Sequence, residues 1–127
     1  MKHANSFYGI KQFYECIIKT LSDTTIHNIW IVTVICTNGS TPGKLGMKML
    51  VKDNTECIGT IGGGSIEKLV IDKIMTKQIT TSMILSFNLG NDSSISNKNY
   101  HVENTGMICG GQQTVFIESL TIKHYDY

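Results

Sequence analysis

Three short stretches of this sequence hold residue types that could do chemistry, and each lies beside an apolar segment. The first is Gly59-Thr60-Ile61-Gly62-Gly63-Gly64-Ser65. Glycines allow positive φ and close backbone approach, and a helix that starts after them leaves amide donors unpaired. Such a loop can cradle a phosphate or another anion. It can equally be a tight packing joint between a strand and a helix, and the spacing alone leaves the two readings even. The stretch lacks the Gly-Lys-Ser/Thr ending of a nucleotide P-loop and the G-x-G-x-x-G of a dinucleotide fold. Glu67 follows in the first helical turn, where interaction with the helix dipole is the commoner role and orientation of a polar ligand the sharper one.

The second stretch is Gly106-Met107-Ile108-Cys109-Gly110-Gly111. A cysteine followed by two glycines has an unshielded thiol, and nearby amides stabilise a thiolate. Thiolates are soft ligands suited to transition metals and to sulfur transfer. Cys16, Cys36 and Cys57 fall inside a helix or strands and read as small buried hydrophobes. The third stretch, Gly39 to Gly46, offers Ser40, Thr41 and Lys44 close to a strand end, a common place for a binding edge in an α/β sheet. His3, His27, His101 and His124 are too dispersed for a metal site, and no Ser/His/Asp or Cys/His arrangement can be read from spacing.

The elements that must position these loops follow from periodicity. Phe7, Ile10, Tyr14, Ile17, Ile18 and Leu21 recur at helical spacing, with Asn5 or Ser6 as the cap. Ile29 to Cys36 is β-branched and apolar on both faces, which predicts a central, doubly buried strand. Met47 to Lys52 alternates, Asp53-Asn54 turns the chain, and Glu56 to Ile61 completes a hairpin. Ile66, Leu69, Val70 and Ile74 predict a helix from Ser65 to about Lys77. Ser82 to Phe87 and Thr114 to Leu120 read as further strands, and Leu89 to Thr105 as a long polar loop. The order gives an α/β domain, with α+β as the alternative, in which a mixed sheet packs against two or more helices.

Composition narrows the partners. The chain of 127 residues carries a net charge of +1, and its eleven basic Lys/Arg residues are all lysines, scattered along the sequence. Nucleic acid and anionic membrane surfaces need a concentrated basic face, so neither is expected as a partner. Without arginine, an anion must be held by lysine point charges, backbone amides or hydroxyls. No apolar run reaches membrane-spanning length, and Met1 to Tyr8 has no signal-peptide pattern. Four widely spaced cysteines without a CxxC pair suit free thiols in the cytoplasm.

The three loops, in this order, resemble the XdhC/CoxI family of xanthine dehydrogenase accessory factors, in their N-terminal module. The resemblance rests on NGSTPGKLGMKMLV (Asn38 to Val51), IGTIGGGSIE (Ile58 to Glu67), SFNLGND (Ser86 to Asp92) and GMICGGQQTVFIESL (Gly106 to Leu120). It implies a cytoplasmic maturation factor, an accessory protein rather than an enzyme. Such a factor binds molybdenum cofactor transiently, as molybdopterin or its dinucleotide form, and assists its sulfuration and insertion into a molybdenum hydroxylase apoenzyme. A cysteine desulfurase is the implied source of the terminal sulfur.

Carried onto this chain, the resemblance makes Cys109 the thiol near molybdenum, with Gly110 and Gly111 beside it. Gly62, Gly63 and Gly64 become the amide-rich loop for the pterin phosphate, next to Glu67, and Ser40 and Lys44 belong to the first loop. The family usually has an arginine directly after the proline of that loop. This chain has Gly43 there, so Lys44 or Lys48 would have to supply the cation. Many members continue into a Rossmann-like C-terminal domain, whereas residues 1–127 here correspond to the N-terminal module. The assemblies that follow are a stand-alone chain, a homodimer, or a pairing with a separate Rossmann-like subunit. Two alternatives from other classes stay open: a Cys109-dependent sulfurtransferase, and a protein-interaction module that has lost its ligand.

Overall fold

The computed structural model describes residues 9–89 and 111–124, together with the backbone of residues 101–104. Helix α1 (Ile10–Leu21) leads into strand β1 (Asn28–Asn38), the hairpin β2 (Lys48–Lys52) and β3 (Cys57–Gly59), and helix α2 (Gly64–Met75). Strands β4 (Met83–Asn88), β5 (His101–Asn104) and β6 (Gln112–Thr121) follow. The six strands form one sheet in the order β3-β2-β1-β6-β4-β5. All pairings are antiparallel except β4 with β5, which is parallel. The mixed sheet with two helices is the α/β architecture expected from the pattern of elements.

β1 is internal, as its apolar run requires. It pairs with β2 on one side and along nearly its whole length with β6 on the other. Ile29, Val32 and Val34 are buried, but the register shifts between Val34 and Cys36, and beyond it Ile35 and Cys36 are exposed. The strand is therefore doubly buried only up to that irregularity, because an extra residue turns the following side chains outward. Cys36 is accordingly not the buried hydrophobe its place in a strand suggested, and Cys16 and Cys57 are only partly buried.

The two helices take opposite faces. α2 packs Ile66, Val70 and Ile74 onto Val32, Val34, Met49, Val51, Leu85, Phe87, Val115 and Ile117, all buried. Each such aliphatic side chain contributes about 1.5–3 kcal/mol when removed from water. α1 forms a smaller core from Phe13 with Ile26, Ile29 and Leu50, flanked by Ile17, Ile31 and Ile58. Its buried face is Phe13 and Thr20, while Ile10, Tyr14, Ile18 and Leu21 are exposed. Of the expected stripe, Ile17 packs against this core, Ile10, Tyr14, Ile18 and Leu21 do not, and Phe7 lies outside the described residues, because the apolar arc of the helix is wider than the surface it meets. Gly9 is the N-cap without a side-chain bond, and the Asn5 or Ser6 cap lies outside the described residues. Within the long polar segment after Leu89, residues 101–104 are a strand, which the sequence pattern did not suggest.

Candidate functional site

The chain alternates direction so that the C-terminal ends of β1, β3 and β4 and the starts of β2 and β6 share one edge of the sheet. All three loops leave or enter there. The first loop (39–47) is closed at its base by Gly46 N–H donating to Val34 C=O at 2.8 Å and Val34 N–H to Met47 C=O at 2.9 Å. It lies directly on the glycine loop. A side chain at Gly43 would strike the Ile61 carbonyl and the Gln113 amide, and one at Gly62 would strike Gly43 itself. The arginine that family members carry after the proline thus has no room at Gly43 in this arrangement. Lys44 is exposed, whereas Lys48 donates to Thr33 Oγ1 at 2.9 Å, so Lys44 is the cation better placed to reach a ligand.

The three consecutive glycines divide the two roles that spacing could not separate. All have positive φ: 122° at Gly62, 79° at Gly63 and 61° at Gly64. Gly62 faces inward against Pro42 and Gly43 and is a packing joint. Gly64 faces open space, and Gly63 meets nothing nearer than Glu67 Oε2 at 4.0 Å. The helix begins at Gly64, so the exposed amides of Gly64 and Ser65 have no partner within the helix.

Glu67 does more than complement the helix dipole. Its Oε2 accepts from the Thr60 hydroxyl, from Ile61 N–H at 3.1 Å and from Gly63 N–H. Ile61 is fully buried, so its amide needs this partner. The carboxylate therefore already occupies part of the amide cradle. An incoming anion would find Gly64 and Ser65 available rather than Ile61 and Gly63. The Cys57 thiol is pushed up from its ordinary pKa by burial and, secondarily, by the charge of Glu67. Cys57 is thus held as a thiol and is a poor nucleophile near neutral pH.

Of the third loop, Gly106 to Gly110 lie outside the described residues, Cys109 among them. Its last residue, Gly111, is buried beneath the first loop, where a side chain would run into the carbonyl oxygens of Ser40 and Asn38. Gly111 C=O accepts from Leu89 N–H at 2.7 Å. The end of the Cys109 loop and the first loop are therefore in contact, and Ser40 is part of that contact.

Two residues that sequence reasoning passed over organise this edge. Gln112 Nε2 donates to Ser86 Oγ at 2.7 Å, and Ser86 shares a hydrogen bond of 3.0 Å with Thr114. Gln113 is fully buried; its Oε1 accepts from Gly43 N–H at 2.9 Å and its Nε2 donates to Ile61 C=O at 2.7 Å. A polar pair directly after Gly110-Gly111, at the start of an apolar strand, was the available signal. No group of three or more His, Cys, Asp or Glu side chains suited to a metal ion exists among the described residues. None of the described helices is long and apolar enough to cross a membrane.

Comparison with solved structures finds this fold in a protein described as a xanthine dehydrogenase from Bacillus halodurans. The TM-score is 0.59 and the identity 23%, over 81% of this chain and 29% of that one. The likeness is one of fold, and this chain spans less than a third of that protein's length. No curated protein matches. Residues 26–87, from the end of the α1–β1 connection through β4, match the XdhC and CoxI family. The matched segment contains the first loop, the glycine loop and Glu67, and it stops before the Cys109 loop. Over that segment, just under half of the chain, the protein is similar to the XdhC and CoxI family.

Proposed function

We propose that this domain is a non-catalytic module for maturing a xanthine dehydrogenase-type molybdenum hydroxylase. In this reading it binds molybdenum cofactor transiently, as molybdopterin or its dinucleotide form, and assists sulfuration and insertion into the apoenzyme. A cysteine desulfurase supplies the sulfur, and the work is done in the cytoplasm. The observation that carries the reading is the open backbone at Gly63 and Gly64, at the start of α2 and beside the first loop. A phosphate can approach there as it cannot at Gly62 or Gly111.

The residues present suit the phosphate end of the cofactor. Gly64 and Ser65 offer amides and Lys44 offers a point charge, in keeping with a chain that has no arginine. When bound, the cofactor would supply the molybdenum, and it would carry the terminal sulfur received from the desulfurase. This chain's part is placement: backbone donors hold the phosphate, Glu67 and Gln113 fix the loops, and Cys109 is assigned the thiol next to molybdenum. The match of residues 26–87 to the XdhC and CoxI family supports the link to xanthine dehydrogenase.

The test is to purify the protein from cells that make molybdenum cofactor, assay released pterin, and activate a hydroxylase apoenzyme. Wild type is expected to carry pterin and to support activation. Cys109→Ala removes only the sulfur, so it is expected to keep pterin and fail in activation. Absence of pterin on wild type, together with full activation by Cys109→Ala, would contradict delivery and favour an interaction module.

A further inference from the structure

The backbone of Ile61 is held at its N–H and at its C=O by side chains from different elements. Its N–H donates to Glu67 of α2, and its C=O accepts from Gln113 of β6. The far ends of those two side chains hold other loops: Glu67 takes Gly63 N–H, and Gln113 takes Gly43 N–H. A continuous polar path therefore runs Gly43–Gln113–Ile61–Glu67–Gly63. It joins the first loop to the start of α2 and is anchored in β6, two residues after Gly111.

We propose that Glu67 and Gln113 are positioning residues that act as one clamp on Ile61, so that the first loop and the helix start move together. Three features support this. Gln113 is wholly buried, and its amide is read in one orientation, oxygen to a donor and nitrogen to an acceptor, which prevents a flip. A Cβ on Gly62 would collide with the Gly43 backbone, so the two loops pack closely at this point. The Gln113 bonds are buried and the Glu67 bonds part-buried, and in such a network loss of one bond leaves the next donor or acceptor unpaired at reduced dielectric. For a ligand that must touch both loops, the clamp fixes the distance between Lys44 and the Gly64 amide. That consequence rests on the proposed function, while the coupling itself does not.

The experiment is amide hydrogen exchange by NMR on the whole chain, comparing wild type with Glu67→Gln. This isosteric change removes the charge and weakens the bonds to Ile61 and Gly63. Glu67 makes no hydrogen bond to Gly43. If the clamp acts as one unit, exchange at Gly43 accelerates about tenfold together with Ile61 and Gly63, while Val32 and Val51 in the central strands are unchanged. Gln113→Met is expected to give the reciprocal effect at Gly63. Acceleration confined to Ile61 and Gly63 would overturn the coupling. So would uniform acceleration across the sheet, which would make Glu67 a contributor to global stability only. Because no ligand is present, failure here is distinguishable from failure of cofactor binding.

Discussion

The two helices are the same length, twelve residues each, and differ in how the sheet receives them. α2 buries Ile66, Val70 and Ile74 along one stripe, and its first turn is tied to the loop edge by Glu67. α1 buries Phe13 and Thr20 and leaves Ile10, Tyr14, Ile18 and Leu21 exposed. A helix that positions a site must be fixed in both packing and polar contacts, and α2 meets both conditions through its buried stripe and Glu67. The matched segment 26–87 contains α2 and not α1. The two helices thus separate the part of the fold that builds the candidate site from the part that covers the opposite face.

The largest test of that contrast is thermodynamic. Ile66→Ala opens a cavity under α2 and should cost about 2–5 kcal/mol, whereas Ile18→Ala on α1 should stay within about 0.5 kcal/mol. Urea denaturation of the two variants measures both. Comparable losses would place Ile18 against a surface and remove the asymmetry.

A smaller effect concerns charge at the loop edge. Burial and the Glu67 carboxylate both raise the Cys57 thiol, so the folded state holds that proton more tightly than the unfolded chain does. The associated stability is fully present below the ordinary thiol range and is lost as pH rises through the folded value. Alkylation of Cys57 should therefore set in at more alkaline pH than in the denatured chain. Glu67→Gln should move that onset back only in part, since burial is the larger cause. Mapping labelled cysteines against pH reads this, and an onset unmoved by Glu67→Gln would separate the two side chains.

Much of the architecture was legible because local chemistry and tertiary environment agree. The run from Ile29 is β-branched enough to demand an internal strand, and Ile66, Val70 and Ile74 fall on a single stripe. Other features were decided by long-range contact. The face of α1 depends on which part of a wide apolar arc meets Leu50 and Ile58, and the sequence carries both Phe13–Ile17 and Ile10–Tyr14–Ile18 at helical spacing. β5 has no alternation to announce it and exists through its parallel pairing with β4. Gln113 reaches partners 70 and 52 residues away in sequence, so its role could not be read from neighbours. For the glycine loop, the residue types showed that the backbone comes close to something. The fold was needed to show that Gly62 approaches Gly43 while Gly64 faces outward.

The proposed function requires that the open start of α2, not the exposed face of α1, receives the cofactor. The most direct measurement is the pterin retained by Gly64→Val and Ile18→Ala after purification from cells that make molybdenum cofactor, each beside a thermal melt. At φ 61° a β-branched side chain is strained by about 1–2 kcal/mol, so Gly64→Val should melt lower yet remain folded. It should lose the pterin, because a side chain then stands where the phosphate must approach. Ile18→Ala should retain it at the wild-type level. Folded Gly64→Val carrying as much pterin as wild type would contradict the account.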